Sequence, residues 1–337
     1  MEKLKVGVVG LGLGRHFVAA CAESEAVERL VVCDPDRDRA ADIRKAFPTI
    51  AEAYTDLDAM LDAERPDAVC VVTLDHLHRP HATRCFEAGC HVLQTKPLAT
   101  NLDDARAIVR AAEASGRTLM VAQERRFRTR VKAMKALLDT GELGDIIHLR
   151  IDAIQDKRGQ FAKSPWYASA EAGRTALVGT GIHEVDLVRH LIGRPIVSVS
   201  AYSNRLGTMD FPKDKTTAVL FRFEGDAIGQ VTVTYEAHWP RGRADDHFLL
   251  IATKGVIQGN RVGRDGAGDW EDLPGDPSEI ERGCRGSVEA FLKALVTGAP
   301  VPVTGREAFA TLAAAVAADE SAANGGQPAV PAPADFA

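Results

Sequence analysis

Three glycines follow the first apolar run of the chain and form its first candidate site. The run 5–9 leads into Gly10, Gly12 and Gly14, and a helical pattern follows. Glycines at such a turn let backbone N–H groups approach a pyrophosphate at a helix N-terminus, where the helix dipole favours anions. The usual spacing would put the third glycine at Arg15, so this loop is a shortened or shifted version. A glycine-rich turn without a ligand stays the alternative.

An acidic residue ends the second strand pattern. Asp34 lies 22 residues after Gly12, where an acid accepts hydrogen bonds from the ribose hydroxyls of adenosine. Its charge repels a 2′-phosphate, so NAD is favoured over NADP, although Arg37 and Arg39 lie nearby. The alternative role for Asp34 is that of a turn residue in Asp34-Pro35-Asp36.

The first 122 residues alternate between short β-rich runs and amphipathic segments. Candidate strands lie at 5–9, 29–33, 68–73, 91–94 and 118–122. Candidate helices lie at 16–27, 36–47, 56–63, 80–88 and 101–115, the last bounded by Asn101 as N-cap and by Gly116. Strands that alternate with helices predict βαβ units and a parallel sheet covered on both faces.

The second half has a different pattern. After a helix at 130–140, the candidate strands are 146–154, 196–203, 216–223, 228–237 and 248–252, with a hairpin turn at 224–226. These strands predict an antiparallel or mixed sheet. Two helices, 287–296 and 306–321, follow them. We therefore predict an α/β protein with domains at 1–122 and 123–327 and a loose tail at 328–337.

Length and composition agree with two domains that each have a core. The chain has 337 residues, of which 47 are acidic and 41 basic, a net charge of −6. This balance argues against binding to nucleic acid or to an anionic membrane. No apolar run approaches about 18 residues, and no signal peptide is recognisable. The six cysteines form no C-x-x-C pair, so we expect reduced thiols and a cytoplasmic protein.

Several motifs together resemble the Gfo/Idh/MocA oxidoreductases, the family of glucose-fructose oxidoreductase and inositol dehydrogenase. They lie at 73–78 (TLDHLH), 88–99 (AGCHVLQTKPLA), 126–127, 141–146, 181–187 and 191–193. The resemblance covers nearly the whole chain. It implies a Rossmann domain that binds NAD(P) and a C-terminal α/β domain with a large open, mostly antiparallel sheet that often mediates oligomers. It also implies sugar or cyclitol substrates and reversible oxidation of a hydroxyl carbon.

A lysine is the first catalytic candidate. The family usually carries Glu-Lys-Pro, and the matching residues here are Thr95, Lys96 and Pro97. Beside an oxidised nicotinamide, the ammonium of Lys96 would meet a like charge and partial desolvation. Both lower the pKa of a lysine and allow proton exchange near neutrality. Pro97 restricts the backbone before it and so helps to direct Lys96.

A histidine is the second catalytic candidate. The family pairs an aspartate with a histidine four residues later; the histidine matches His183, but Gly179 stands at the aspartate position. Three outcomes are open: His183 is the principal base with Lys96 as donor or relay, the chemistry is altered, or only binding is retained. We favour the first, because imidazole titrates near neutrality. Asp186 either orients His183 or caps a neighbouring element.

The remaining expected site residues divide by ligand. The expected cofactor-binding residues are Gly10, Gly12, Leu13, Gly14, Asp34, Thr73, His76, His78 and Lys96. The expected substrate-binding residues are Lys96, Gln123, Arg126, Lys157, Trp166, Thr180, His183 and Trp239. No metal is expected, because His76 and His78 lack a third ligand at a plausible spacing.

The sequence therefore predicts an NAD-dependent dehydrogenase for a secondary hydroxyl of a sugar, sugar derivative or cyclitol. We expect a homodimer or homotetramer formed through the C-terminal sheet. Two alternatives stay open: an enzyme that uses tightly bound NAD transiently to cleave a glycosidic bond, and a non-catalytic NAD-binding sensor. The missing acid at Gly179 motivates the first alternative, and the departures at Thr95 and Gly179 together motivate the second.

Overall fold

The computed structural model describes residues 3–169, 172–238, 248–275 and 280–334, and for 280 and 281 the backbone only. The chain divides into two compact units. The first contains Met1–Phe127 and Ile280–Phe309, and the second contains Arg128–Glu279 and Ala310–Ala334. Residues 280–309 thus pack with the first unit, whereas the sequence suggested a single boundary after residue 122.

The elements of the described residues are as follows. The strands are β1 (Leu4–Val9), β2 (Val27–Cys33), β3 (Ile50–Tyr54), β4 (Ala68–Val71), β5 (His91–Thr95), β6 (Leu119–Ala122), β7 (Ile146–Ile154), β8 (Ile196–Asn204), β9 (Thr216–Phe223), β10 (Ile228–Thr234), β11 (Phe248–Ala252), β12 (Gly255–Gln258), β13 (Arg261–Arg264) and β14 (Glu271–Asp272). The helices are α1 (Leu11–Ala22), α2 (Arg37–Ala46), α3 (Leu57–Glu64), α4 (His78–Glu87), α5 (Leu102–Ser115), α6 (Thr129–Asp139), α7 (Arg158–Lys163), α8 (Ile182–Ile192), α9 (Ile280–Thr297) and α10 (Gly305–Ala323).

The sheet of the first unit is parallel throughout, in the order β3-β2-β1-β4-β5-β6. Its central strands are apolar on both faces; all four residues of β4 and of β6 are buried. Such runs are typical of a parallel sheet covered by helices. Strand order reverses between β1 and β4, and in folds of this kind ligands bind beyond the carboxyl ends of the strands at that point.

Side-chain caps fix where three of the crossover helices begin. Asp36, Asp56 and Asn101 precede α2, α3 and α5, and each accepts a hydrogen bond from the backbone N–H three residues later. These bonds satisfy N–H groups that the helix itself leaves without a partner. Gly116 ends α5 with φ +65°, as the sequence predicted.

The sheet of the second unit has the order β14-β13-β12-β11-β7-β10-β9-β8. Only β7 and β10 pair in parallel among its described strands, and the other neighbours are antiparallel. One face carries buried side chains such as Val219, Phe221 and Val231, and α8 packs against β7 and β10. The large, mostly antiparallel sheet predicted from the sequence is confirmed, and so is the α/β class.

The other face of this sheet is open. Tyr202, Leu220, Ile228 and Ile251 lie on it and expose 70%, 52%, 44% and 38% of their surface. The strand register places them on one side, because Leu220 pairs with Ser200 and Gln230 while Ile228 and Ile251 both pair with His148. We call these four residues the open-face apolar set.

Several sequence-based expectations differ from the structure. Helix α9 begins at Ile280 rather than at residue 287, and α7, β12, β13 and β14 were not anticipated. Helix α1 begins at Leu11 rather than at residue 16, because the glycines form the first helical turn. Strand β3 was not anticipated, since its residues Ile50–Tyr54 are mostly half-buried and carry little apolar signal. The tail is not loose at Ala329, which exchanges two backbone hydrogen bonds of 2.9 and 2.8 Å with Val199.

Candidate active site

The glycine loop follows β1 directly and caps α1 without a side chain. Gly10 is the N-cap residue with φ +85°, and a Cβ there would lie 2.5 Å from the Val72 carbonyl oxygen. Only glycine fits this position. A Cβ on Gly12 would meet no atom within 4 Å, so the first turn borders open space. Gly14 is buried against Val8 and Val72 at ordinary contact distances.

These observations fit a dinucleotide. The N-terminus of α1 presents backbone N–H groups beside open space at the point where strand order reverses. Leu13, which is 49% exposed, lies in the same turn. The spacing of the three glycines differs from the usual G-x-G-x-x-G pattern, but it still allows a pyrophosphate to approach the N-terminus of α1.

Asp34 is 2% exposed and is held by the protein on several sides. It accepts hydrogen bonds from the backbone N–H of Leu11 at 2.7 Å and of Asp36 at 2.9 Å. Arg39 donates to both of its oxygens at 3.0 and 3.2 Å. Asp34 thus forms the turn that the sequence offered as an alternative, and it also joins β2 to the glycine loop. Its position beside that loop is the one a ribose-binding carboxylate requires.

The histidines after β4 have different environments. His76 is exposed, whereas His78 is fully buried. The Nδ1 of His78 lies 2.8 Å from the Pro97 carbonyl oxygen, and its Nε2 lies 3.2 Å from that of Thr73. Burial lowers the pKa of His78 and so favours the neutral ring. His78 therefore positions the backbone beside Lys96, rather than presenting a surface to a cofactor as expected.

Lys96 is half-buried and follows the last residue of β5. The Lys96–Pro97 peptide bond is cis. Thr95, which replaces the family glutamate, is buried, and its Oγ1 lies 3.4 Å from the Nε2 of His78. The buried His78 thus contacts the residues on both sides of Lys96 and limits how the lysine can turn.

Two further residues of the first unit lie beyond the end of β6. Gln123 is 2% exposed, and its Oε1 has no hydrogen-bond partner among the described residues. A buried acceptor of this kind suits a hydroxyl or amide of a ligand. Arg126 is 7% exposed, and its Nη1 lies 3.6 Å from the Oε1 of Glu307. Because β5 and β6 are parallel neighbours, Gln123 and Lys96 share one edge of the sheet.

His183 lies in the second unit, in the first turn of α8, and is 7% exposed. The preceding segment Leu177–Gly181 is a π-helical turn. Such turns are rare and occur often at functional sites. Residues four apart share one face of a regular α-helix, but the π turn changes the angular relation between Gly179 and His183. Asp186 accepts a 3.2 Å hydrogen bond from Thr311 on α10, which gives it a structural role.

The expected substrate residues of the second unit are placed as follows. Thr180 is 9% exposed, and its hydroxyl lies 3.0 Å from that of Tyr235. Trp166 is half-buried in the 3-10 helix Pro165–Ala168 and stacks on Tyr167 with 4.1 Å between ring centroids. Lys157 donates to the Oε1 of Gln160 at 2.7 Å. Trp239 lies outside the described residues.

Sequence reasoning missed two residues beside Gly179. A Cβ at position 179 would lie 2.9 Å from Cδ and Nε of Arg174 and 3.2 Å from the hydroxyl of Tyr235. Both side chains are buried, at 5% and 2% exposure. The glycine itself was the available signal, because a glycine in a helical pattern marks a close approach by another group.

No helix in the described residues is both long and apolar enough to cross a membrane. In those same ranges, no group of three or more His, Cys, Asp or Glu side chains could hold a metal ion. All six cysteines are free thiols and are buried.

Comparisons with known proteins identify the family. Residues 4–123 match the family model described as "Oxidoreductase family, NAD-binding Rossmann fold", and residues 131–258 match the "GFO/IDH/MocA C-terminal domain". Together the two models match well over half of the chain. The chain belongs to the Gfo/Idh/MocA family, and its first unit has the NAD-binding Rossmann fold of that family.

Curated relatives are sugar and cyclitol dehydrogenases. Inositol 2-dehydrogenase 2 of Saccharopolyspora erythraea is 30% identical over 64% of this chain and 62% of its own. D-apiose dehydrogenase of Paraburkholderia graminis is 28% identical over 72% of this chain and 63% of its own. The matched part therefore spans just under two thirds of each relative.

A solved structure matches over nearly its whole length. It is an oxidoreductase from Agrobacterium radiobacter in complex with NAD+, L-tartaric acid and magnesium. The two chains are 23% identical, the match covers 97% of this chain and 98% of the other, and the TM-score is 0.86. This likeness supports the two-part fold.

Proposed function

We propose that this protein is an NAD-dependent dehydrogenase that acts on a secondary hydroxyl of a sugar, sugar derivative or cyclitol. The observation that carries the proposal is the family match over both units, joined to a glycine loop and a buried Asp34 that fit a dinucleotide. The curated relatives, which are named as dehydrogenases, favour net oxidation over the glycoside-cleaving and sensor alternatives.

We assign the cofactor to residues of the first unit. Gly10, Gly12, Leu13 and Gly14 would hold the pyrophosphate at the N-terminus of α1, and Asp34 would accept hydrogen bonds from the adenosine ribose. Thr73 and His76 would lie near the nicotinamide, and His78 would act through the backbone that it holds. Bound NAD supplies the hydride acceptor of the reaction. NADP is the less favoured cofactor, because Asp34 repels its 2′-phosphate.

We propose that Lys96 and His183 handle the hydroxyl proton of the substrate. His183 takes the hydroxyl proton as principal base, because Gly179 offers no carboxylate to share that role. Lys96, held by the backbone that His78 contacts, donates a hydrogen bond to the substrate oxygen or relays the proton. Gln123, Arg126, Lys157, Trp166, Thr180 and Trp239 are proposed to contact substrate.

A panel of sugars and cyclitols with NAD tests this proposal. We expect NADH to form with at least one member, and we expect Lys96→Met and His183→Asn each to lower kcat by roughly 100-fold or more, the usual contribution of general acid–base catalysis. Lys163→Met and His190→Asn, which change the same residue types elsewhere in the second unit, should stay near wild-type rates. Both catalytic variants retaining wild-type kcat would refute the assignment.

The same panel separates the alternatives. Release of the aglycone from a nitrophenyl glycoside without accumulation of NADH would favour redox-assisted cleavage. NAD binding by calorimetry, with neither oxidation nor cleavage of any panel member, would favour a sensor.

We also propose a homodimer or homotetramer formed through the open face of the second unit's sheet. The open-face apolar set presents four large apolar side chains on one surface, which favours a protein interface. Six free buried thiols suit a reducing compartment, so we propose a cytoplasmic location.

A further inference from the structure

The carboxylate of Asp34 already receives as many hydrogen bonds as its two oxygens accept. Its Oδ2 accepts from the backbone N–H of Leu11 at 2.7 Å, and its Oδ1 accepts from the backbone N–H of Asp36 at 2.9 Å. The Nη1 of Arg39 lies 3.0 Å from Oδ1 and 3.2 Å from Oδ2. An ionised carboxyl group has about four lone-pair positions. Two backbone donors and one shared guanidinium donor therefore fill them.

These three donors differ in how easily they can leave. The N–H of Leu11 belongs to the first residue of α1 and that of Asp36 to the N-cap of α2, so the backbone fixes both. The side chain of Arg39 is 47% exposed, whereas that of Asp34 is 3% exposed. Holding a long, exposed side chain in one ion pair costs conformational entropy, so such pairs contribute little to stability. Arg39 is therefore the donor that a ligand can displace.

A second ion pair keeps Arg39 partnered when it leaves Asp34. Its Nη2 lies 3.0 Å from the Oδ2 of Asp36, whose side chain is 45% exposed. The backbone N–H of Arg39 also donates to the Oδ1 of Asp36 at 3.0 Å, which fixes the start of α2. The guanidinium can thus turn away from Asp34 by a movement of the side chain alone, and it keeps an anionic partner.

The proposed cofactor site borders this carboxylate. Leu11, which donates to Asp34, is followed by Gly12, where a Cβ would meet no atom within 4 Å. The pyrophosphate is assigned to this turn, and the hydroxyls of the adenosine ribose donate to a carboxylate at the end of the second strand. Those hydroxyls need the lone pairs that the Nη1 of Arg39 occupies. Binding of the ribose therefore requires Arg39 to move.

We propose that Arg39 limits the affinity for NAD, because its guanidinium competes with the adenosine ribose for the carboxylate of Asp34. The inference rests on the proposed cofactor site, since it names a residue that controls the affinity of that site through Asp34. It gives a sign opposite to that of simple electrostatics. Removal of a cation beside a site for an anionic cofactor tightens the binding of that cofactor.

Two nucleotides that differ only in their ribose hydroxyls test the proposal. ADP and 2′,3′-dideoxy-ADP carry the same charge, and the binding of each to the purified full chain is measured by calorimetry. The measured quantity is the Kd for dideoxy-ADP divided by the Kd for ADP. We expect Arg39→Met to raise this ratio roughly 2- to 5-fold, the fold-change that corresponds to one exposed ion pair. The affinity for NAD should rise by a similar factor.

Two controls separate competition from an effect elsewhere in α2. Arg44→Met removes another arginine of α2, which is 45% exposed and pairs with Glu52 at 2.6 Å, and it should leave the ratio unchanged. In an Asp34→Ser background, Arg39→Met should no longer raise the ratio, because the carboxylate for which the two groups compete is gone. Thermal melts establish that each variant is folded.

The outcomes separate this inference from the proposed function. A ratio that stays the same or falls in Arg39→Met, while Asp34→Ser weakens NAD binding, would overturn the role of Arg39 and leave the cofactor site intact. A gain that persists in the Asp34→Ser background would also overturn it. Binding of neither NAD nor ADP by the wild type would overturn the cofactor site and the inference together. A raised ratio without oxidation of any sugar would support Arg39 and refute only the dehydrogenase.

Discussion

Among the single residues, Asp34 has a carboxylate with two structural roles. It fixes the turn between β2 and α2, and it accepts a hydrogen bond from the first residue of α1. Arg39, which is largely exposed, donates to it from the other side. The carboxylate that we propose to select against a 2′-phosphate thus also holds Arg39.

Replacing Asp34 should change the cofactor preference. In Asp34→Ser the ribose loses a charged acceptor, and Arg39 keeps only its ion pair with Asp36, at 3.0 Å. We expect KM for NAD to rise roughly 10- to 100-fold, the effect of losing a hydrogen bond to a charged group, and the NADP/NAD ratio of kcat/KM to increase. Steady-state kinetics with both cofactors measures this. Asp38→Ser, an exposed change in α2, is the control. An unchanged ratio in a folded Asp34→Ser protein would contradict the assignment.

Some residues of the candidate site can be recognised from sequence patterns, and others cannot. Gly10 and Asp34 could be proposed as site residues because they lie in a local motif that is typical of dinucleotide binding, and Lys96 and His183 could be proposed because of the resemblance to the family. Arg174 could not, because its place beside Gly179 depends on packing. Packing contacts in the folded protein cannot be read from the spacing of residues in one sequence.

At the scale of elements, the π turn Leu177–Gly181 connects Thr175 to α8, and Thr175 contacts a buried acid of α10. The hydroxyl of Thr175 donates to Asp319 at 2.8 Å. Burial raises the pKa of Asp319 to about 6, against the lowering by Thr175, and the negative charge of Asp214 adds to the rise. The folded state therefore binds this proton more tightly than the unfolded chain does.

This proton gives a pH dependence of stability with a definite sign. A raised carboxyl pKa contributes stability that is complete below the ordinary value of 3.8 and is lost as pH rises through about 6. Asp319→Asn mimics the protonated form, so we expect it to unfold at higher temperature than the wild type at pH 8 and at a similar temperature near pH 4. The pKa difference corresponds to about 1–3 kcal/mol at pH 8. Thermal melts at both pH values measure it, with Glu25→Gln as the exposed control. A wild type more stable than Asp319→Asn at pH 8 would show that the ionised form is favoured.

Element boundaries were predictable where caps and turns mark them. The bounds of β7, β9 and β11 agree with the patterns, and Gly225 and Asp226 form the predicted hairpin with φ +77° and +67°. The start of α1 and the π turn were not predictable, since glycines that usually break helices are helical in both places.

At the scale of the whole molecule, the chain order explains the two architectures. The alternation of strand and helix produces the parallel sheet, and the longer strands joined by turns produce the mixed sheet. The return of residues 280–309 to the first unit could not be read from the sequence, because a helix pattern does not specify which sheet it covers.

Assembly should depend on the open-face apolar set. Leu220→Glu places a charge among these side chains, where burial against a partner would require its desolvation. We expect the wild type to have the mass of a dimer or tetramer by light scattering and Leu220→Glu to shift toward monomer. Val330→Glu, an exposed change outside the sheet, should leave the mass unchanged. A monomeric wild type would refute the proposed assembly.

Transfer of deuterium from substrate to cofactor would show hydride transfer to NAD directly, and the variants would show whether Lys96 and His183 take part in it. Sugars and cyclitols labelled with deuterium at their hydroxyl-bearing carbons are incubated with NAD, and the reduced nicotinamide is analysed by mass spectrometry. We expect labelled NADH from at least one compound with the wild type. With Lys96→Met and with His183→Asn, the label should appear much more slowly. Absence of label from every compound, or equal rates of labelling in wild type and both variants, would contradict it.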